Sequence, residues 1–200
     1  LDASGSAYNN LRSFQVDFES YQVYFCGQEV TSLNFFDITN DGGSVAYDKA
    51  TRTFTLNNAK AEVAEGKRNV FSDKLAGDNL SFTFKLIGDN ELLSEKDGII
   101  APNRIIVFTG TGSLYVESEA KTLQAGSDVV VEGGCQLTLN GEESVFDARG
   151  LHVDNSSLTL RQGNKYPAMA VVSNCRSFGL TNAHFETRHH YDAGRFAIVD

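Results

Sequence analysis

The sequence predicts an all-β fold, a right-handed parallel β-helix with three strands per coil and an N-terminal β-hairpin or strand cap, on three observations. From about Ile99 to Asp200, the runs RIIVFTGTGSLYV, DVVVEGGCQLTL, LHVDNSSLTL and FGLTNAHFET each read as two alternating strands joined by small polar residues. A third short apolar strand recurs as GIIA, TLQA, VFDA, MAVV and FAIV. Its positions Ile99, Leu123, Phe146, Val171 and Ile198 are 24, 23, 25 and 27 residues apart, a period that marks a stacked repeat. No segment carries an apolar stripe at helical spacing.

A single coil cannot bury its own apolar side chains, so stacking has to do it. In the register read from the repeats, Val107, Val131, Val153 and Leu180 form one internal column, and Leu114, Leu137, Leu158 and Phe185 a second. Successive coils lie ~4.8 Å apart, so equivalent positions touch. Asn155 and Asn182 share a corner, where an amide ladder is expected to satisfy backbone groups left unpaired by the bend.

Taken in order, residues 1–20 read as a flexible lead-in and an edge strand at SFQVDF. Residues 21–66 read as the cap and first coil: YQVYFCGQEVTS is a hairpin about Cys-Gly-Gln, and two further strands centre on Val45–Tyr47 and Phe54–Leu56. Phe35, Phe36, Tyr47 and Phe54 are expected to close the open end of the solenoid, which otherwise exposes unpaired strand groups. Residues 67–200 form the remaining coils of a single domain. At 200 residues and 41% hydrophobic content the chain is long enough for one sizeable core. Cys26, Cys135 and Cys175 have no metal-ligand spacing and read as small packed thiols, with no bridge expected between Cys135 and Cys175, which fall on different strand types.

The runs GQEVTSLNFFDI, SVAYDKATRTFTLNNAKAEV, LIGDN and TGTGSLYV carry a resemblance. Through Val30-Thr31, Asn34, Tyr47-Asp48, Thr51, Thr53 to Ala59, Leu86, Gly88, Asn90, Gly110, Gly112 and Leu114, residues 21–118 resemble a bacterial secreted β-helical family described as carbohydrate-binding domain-containing. The resemblance implies an extracellular or cell-surface location and polysaccharide binding, and it carries no catalytic residues across. The matched positions are turn and core residues.

A formal net charge of −9 without a Lys or Arg run argues against a nucleic-acid partner, and no apolar stretch is long enough to span a membrane as a helix. Glu117, Asn140, Arg161 and Arg188 fall on one outward ladder, flanked by Gln162 and His189. Stacked Arg161 and Arg188 repel unless an anion lies across them, which makes them the candidate holders of an acidic-sugar carboxylate. Lys165, Tyr166, His190, Tyr191 and Arg195 follow in longer turns, and Tyr166, Tyr191 and His189 join the arginines as candidate sugar contacts. On another face, Glu132 and Asp154 are one coil apart. Like charges so close call for a cation, and Ca²⁺, which takes several oxygen ligands, is the candidate. Asp147 with Arg149 reads as an exposed ion pair worth about 0–1 kcal/mol.

No nucleophile triad appears, and GTGSL is a turn rather than a phosphate loop. The primary reading is therefore a non-catalytic polysaccharide-binding domain. Two alternatives stand beside it. A polysaccharide lyase uses the same kind of fold, but fold alone does not carry function. A structural or adhesin spacer follows from FAIVD, which opens a coil that does not finish and points to end-to-end self-association or further domains.

Overall fold

Where every second residue is apolar the chain extends, and where small or polar residues interrupt the pattern it turns a corner. The computed structural model describes residues 17–39, 42–63, 66–67, 69–163 and 171–189. The cap holds β1 (Ser20–Phe25), β2 (Gln28–Thr31) and β3 (Ser44–Asp48). The first coil is β4 (Thr53–Asn57), β5 (Lys60–Glu62) and β6 (Asn69–Asp73). The second is β7 (Leu80–Ile87), β8 (Asp89–Ser94) and β9 (Asp97–Ala101). The third is β10 (Arg104–Gly110), β11 (Ser113–Ser118) and β12 (Lys121–Ala125). The fourth is β13 (Asp128–Val131), β14 (Gln136–Gly141) and β15 (Ser144–Asp147). The fifth is β16 (Gly150–Asp154), β17 (Ser157–Gln162) and β18 (Val172–Ser173). Then β19 (Ser177–Thr181) and β20 (His184–His189) begin another.

Each coil gives one strand to each of three sheets. Sheet A runs β18-β15-β12-β9-β6-β1-β2, sheet B β19-β16-β13-β10-β7-β4-β3, and sheet C β20-β17-β14-β11-β8-β5. Successive coils pair in parallel, as in β11 with β14 and β14 with β17. Only the cap reverses direction among the described residues, where β1–β2, β1–β6 and β3–β4 are antiparallel. Three strands per coil and about five turns make the chain a parallel β-solenoid without a helix among the described residues.

The interior is a set of columns. In sheet B, Phe54, Phe84 and Phe108 occupy paired positions, and their rings stack at 5.5 and 5.3 Å. Val131, Val153 and Leu180 continue that column. Phe108 therefore stands where the repeat placed Val107, which pairs with Val130 instead. In RIIVF the apolar residues run without alternation, so the inward face was ambiguous, and a shift of one residue exchanges inside for outside. The column Leu114, Leu137, Leu158 and Phe185 pairs as expected. At the end of sheet A, Val172 rather than Val171 lies opposite Phe146, again one residue along.

Two buried polar side chains hold corners. Asn90 stands at the head of the leucine column; its Oδ1 accepts from the Ala59 N–H at 2.9 Å and its Nδ2 donates to the Ser113 carbonyl at 2.9 Å. Arg104 ties down the bend between sheets A and B, donating through Nη2 to Asp73 at 2.7 Å and to the Leu75 carbonyl at 2.6 Å. Asn155 and Asn182 adopt left-handed φ of 46° at their shared corner, but the Asn155 amide donates to Asp154 Oδ1 at 3.0 Å and not to the backbone.

The hairpin β1–β2 turns through Cys26 and Gly27, both at positive φ, 45° and 77°, as a tight two-residue connection requires. Tyr47 and Phe54 are buried beneath the cap, whereas Phe35 and Phe36 are exposed. The edge strand expected at SFQVDF does not extend to Asp17 and Phe18, which are not in a strand; its residues 13–16, and the terminal FAIVD, lie outside the described residues. None of the three cysteines forms a disulfide, and all three are buried.

Candidate functional site

Three surfaces gather polar or aromatic groups on this scaffold, and each follows from the parallel register. On the outer face of sheet C, pairing aligns Glu62, Leu93, Glu117, Asn140, Arg161 and Arg188 across six strands. The Glu117–Asn140–Arg161–Arg188 ladder read from the sequence is thus a physical row. Its two arginines differ in state. Arg188 donates through Nε to Glu186 Oε1 at 2.7 Å and through Nη2 to Oε2 at 3.0 Å. That hydrogen bond holds the Glu186 carboxyl below the usual range and raises Arg188. Arg161 Nε is buried without a hydrogen-bond partner. An anion laid across the pair has to compete with Glu186 for one guanidinium. The backbone of His189 pairs with Gln162, while its side chain, with Tyr166, Tyr191, Lys165, His190 and Arg195, lies outside the described residues.

Lower on the same face the ladder turns acidic. A cleft of about 550 Å³ is lined by Glu62, Glu95, Glu117, Glu119, Glu142 and Asn140, among others. At its wall the Tyr115 hydroxyl donates to Glu117, and Asn140 Nδ2 donates to Tyr115 Oη at 3.0 Å and to Glu117 Oε2 at 2.9 Å. Burial, and then the Glu117 carboxylate, push the Tyr115 hydroxyl up to about 12, so it stays protonated at neutral pH. Five glutamates line the cleft with no Lys or Arg among its described lining residues, so its local charge is strongly negative.

Glu132 and Asp154 follow the paired residues Val131 and Val153 and are both exposed. Among the described residues no group of three or more His, Cys, Asp or Glu side chains is arranged to hold a metal ion. Among those residues the pair therefore has no third side-chain ligand of those types. Asp147 and Arg149 do not form the ion pair expected of them. Asp147 accepts instead from Gln124 Nε2 at 3.2 Å and Asn174 Nδ2 at 2.7 Å.

The third surface is at the capped end, where the turn entering β4 meets β1. Tyr21, Phe35, Phe36 and Tyr47 line an open cleft of about 790 Å³ with Asp48, Lys49 and Thr55 at its rim. Phe35 is 40% exposed and Phe36 66%. Their rings meet edge to face at 5.9 Å, Tyr21 lies 6.3 Å from Phe35, and Lys49 Nζ sits 5.0 Å over the Tyr21 ring. Lys49 is also paired with Glu19. Asp48 Oδ1 accepts from the Ala50 N–H at 2.9 Å and Oδ2 from the Thr51 hydroxyl at 2.9 Å, which holds its carboxyl below the usual range. The sequence pattern assigns Phe35, Phe36 and Tyr47 to closing the end and does not reveal the cleft they form with Tyr21. The signal was present in consecutive Phe35 and Phe36 on a turn, which leaves too little core for both rings.

No protein-family model matches the chain, and no curated protein or solved structure matches it either. No helix among the described residues is long and apolar enough to cross a membrane.

Proposed function

We propose that this chain is a non-catalytic, extracellular or cell-surface domain that binds polysaccharide, with the aromatic cleft at the capped end as its sugar-holding surface. The observation that carries the reading is the exposed platform of Tyr21, Phe35 and Phe36 with Asp48, Lys49 and Thr55 at its edge. A pyranose presents an apolar C–H face to a ring and hydroxyls to a polar rim. Ligand sites commonly combine aromatic walls with a few fixed polar groups in this way. The rim carboxylate suits hydroxyl binding rather than acid catalysis. A general acid needs a raised pKa, and Asp48 is held low. Hydrolysis also needs a second carboxylate across the scissile bond, and Asp48 is the only one lining this cleft among the described residues. For a lyase, a base near the uronate is required, and Arg188 is kept protonated by Glu186.

Retention on a panel of insoluble polysaccharides tests the proposal. The protein is expected to be retained by at least one, and Phe36→Ala to weaken that retention roughly tenfold, the equivalent of one lost aromatic contact of about 1.4 kcal/mol. Retention unchanged in Phe36→Ala, or none for the parent chain, overturns it.

A spacer role is favoured by one observation. Phe178 and Leu180 continue internal columns yet are 38% and 46% exposed at the far end. On that reading sedimentation depends on concentration, and a strict monomer at all concentrations refutes end-to-end association.

A further inference from the structure

The corner between sheets A and B stacks coil on coil through backbone hydrogen bonds. Arg149 N–H donates to the Ser127 carbonyl at 3.1 Å, and Arg176 N–H donates to the Arg149 carbonyl at 2.7 Å. Arg149 and Arg176 are therefore equivalent residues of successive coils, ~4.8 Å apart along the solenoid. Both are exposed, and neither guanidinium has a hydrogen-bond or ion-pair partner among the described residues. With Asn103, Gln124, Asp147 and Asn174 they line a cleft of about 270 Å³. Gly126 forms part of its floor, and a Cβ there would collide with the Asn103 backbone, so the floor stays low.

Charge accounting singles this cleft out. Among the described residues Asp147 is the only carboxylate lining it, and its two oxygens already accept from Gln124 and Asn174. Asp128, which packs against Gly150 in the next strand, does not line the cleft. Two guanidinium charges against one carboxylate leave a local excess of +1 in a chain of net −9. Of the other described arginines, Arg104 is engaged with Asp73, Arg188 with Glu186 and Arg52 with the Ser81 carbonyl, while Arg161 has its Nε buried on the separate face of sheet C. Stacked like charges with open forks are relieved by an oxyanion placed across them, and a guanidinium fork matches a carboxylate with two parallel hydrogen bonds.

We propose that Arg149 and Arg176 form a carboxylate-binding subsite for the uronate groups of an acidic polysaccharide, with Asn103 and Asn174 offering amides to neighbouring hydroxyls. The proposal rests on the polysaccharide reading above. The turn entering β4, at the rim of the aromatic cleft, lies on the same corner, because the Thr83 N–H donates to the Arg52 carbonyl. From Arg52 to Arg149 the corner rises by four coil steps, about 19 Å at ~4.8 Å each. One extended chain is thus held by ring stacking at the cap and by charge further along.

The test compares polygalacturonate with its methyl-esterified form, which keeps the backbone and removes the charge, and with a sulfated polysaccharide. The parent chain is expected to bind polygalacturonate roughly tenfold more tightly than the ester. Arg149→Ala with Arg176→Ala abolishes that preference and leaves ester binding and melting temperature unchanged. Arg149→Lys, which keeps the charge and loses the fork, restores the preference only in part. Phe36→Ala weakens both polymers alike. Preference retained in the double variant overturns the subsite, and equal or tighter binding of the sulfated polymer overturns the carboxylate assignment. If the parent chain binds no polymer, the polysaccharide reading fails separately. The subsite is then tested by titrating galacturonic acid against the arginine Nε–H resonances: shifts confined to Arg149 and Arg176 sustain it, and none refutes it.

Discussion

Arg104 and Asp73 form an ion pair whose side chains are only 7% and 2% exposed, inside a molecule otherwise closed by apolar columns. Burying two charges costs as much as their attraction returns, so the pair adds little net stability but is expensive to break. Asp73→Asn strands a buried guanidinium and is expected to cost about 3–5 kcal/mol in urea unfolding, while Asp73→Leu with Arg104→Met costs less than either single change. Two tyrosines supply a second prediction. Burial pushes Tyr47 up to about 12, and burial with Glu117 does the same for Tyr115, against an ordinary value of 10.0. A folded-state pKa above the unfolded one means the fold holds the proton more tightly. The contribution is complete below pH 10 and is lost as pH rises through about 12. Tyr47→Phe and Tyr115→Phe should each remove a late-titrating component from an ultraviolet absorbance titration and flatten the alkaline loss of stability.

At the scale of the strand and its corner, stability resides in columns. Phe84 stacks between Phe54 and Phe108 and is fully buried, so Phe84→Ala is expected to cost about 3–5 kcal/mol. Phe36→Ala, at an exposed ring, should stay within about 0.5 kcal/mol; a comparison of urea midpoints checks both. Gly110 adopts a φ of +108°, and a Cβ there would meet the Leu86 carbonyl oxygen, so Gly110→Ala is expected to cost about 1–3 kcal/mol. These elements also show what the sequence makes legible. Sheet C could be read in register because Leu114, Leu137 and Leu158 alternate cleanly with polar neighbours. Sheet B could not be read fully, because Ile105, Ile106, Val107 and Phe108 offer two equally apolar faces. The aromatic cleft was hidden for a different reason. Whether a Phe covers the core or projects from it depends on how much space Tyr47 and Phe54 already fill.

For the whole molecule, each coil contacts its neighbours and stability is close to a sum over interfaces. Hydrogen exchange should be slowest in the central coils, β7 to β14, and fastest in β19 and β20, where Phe178 and Leu180 are exposed; uniform protection would contradict this. The arginine cleft belongs to this scale and escaped the sequence for that reason. Arg149 and Arg176 are 27 residues apart, one coil, but corners vary in length, and only the stacked backbone shows which corner residues coincide. The parallel register also makes the molecule a ruler. Because corners superimpose, the separation between the Phe36 platform and the Arg149–Arg176 fork is quantised in steps of ~4.8 Å. A homologous chain that gains or loses one coil between them changes that separation by a single graduation, like a vernier slipped against the repeat of a sugar polymer, with no residue of either anchor altered.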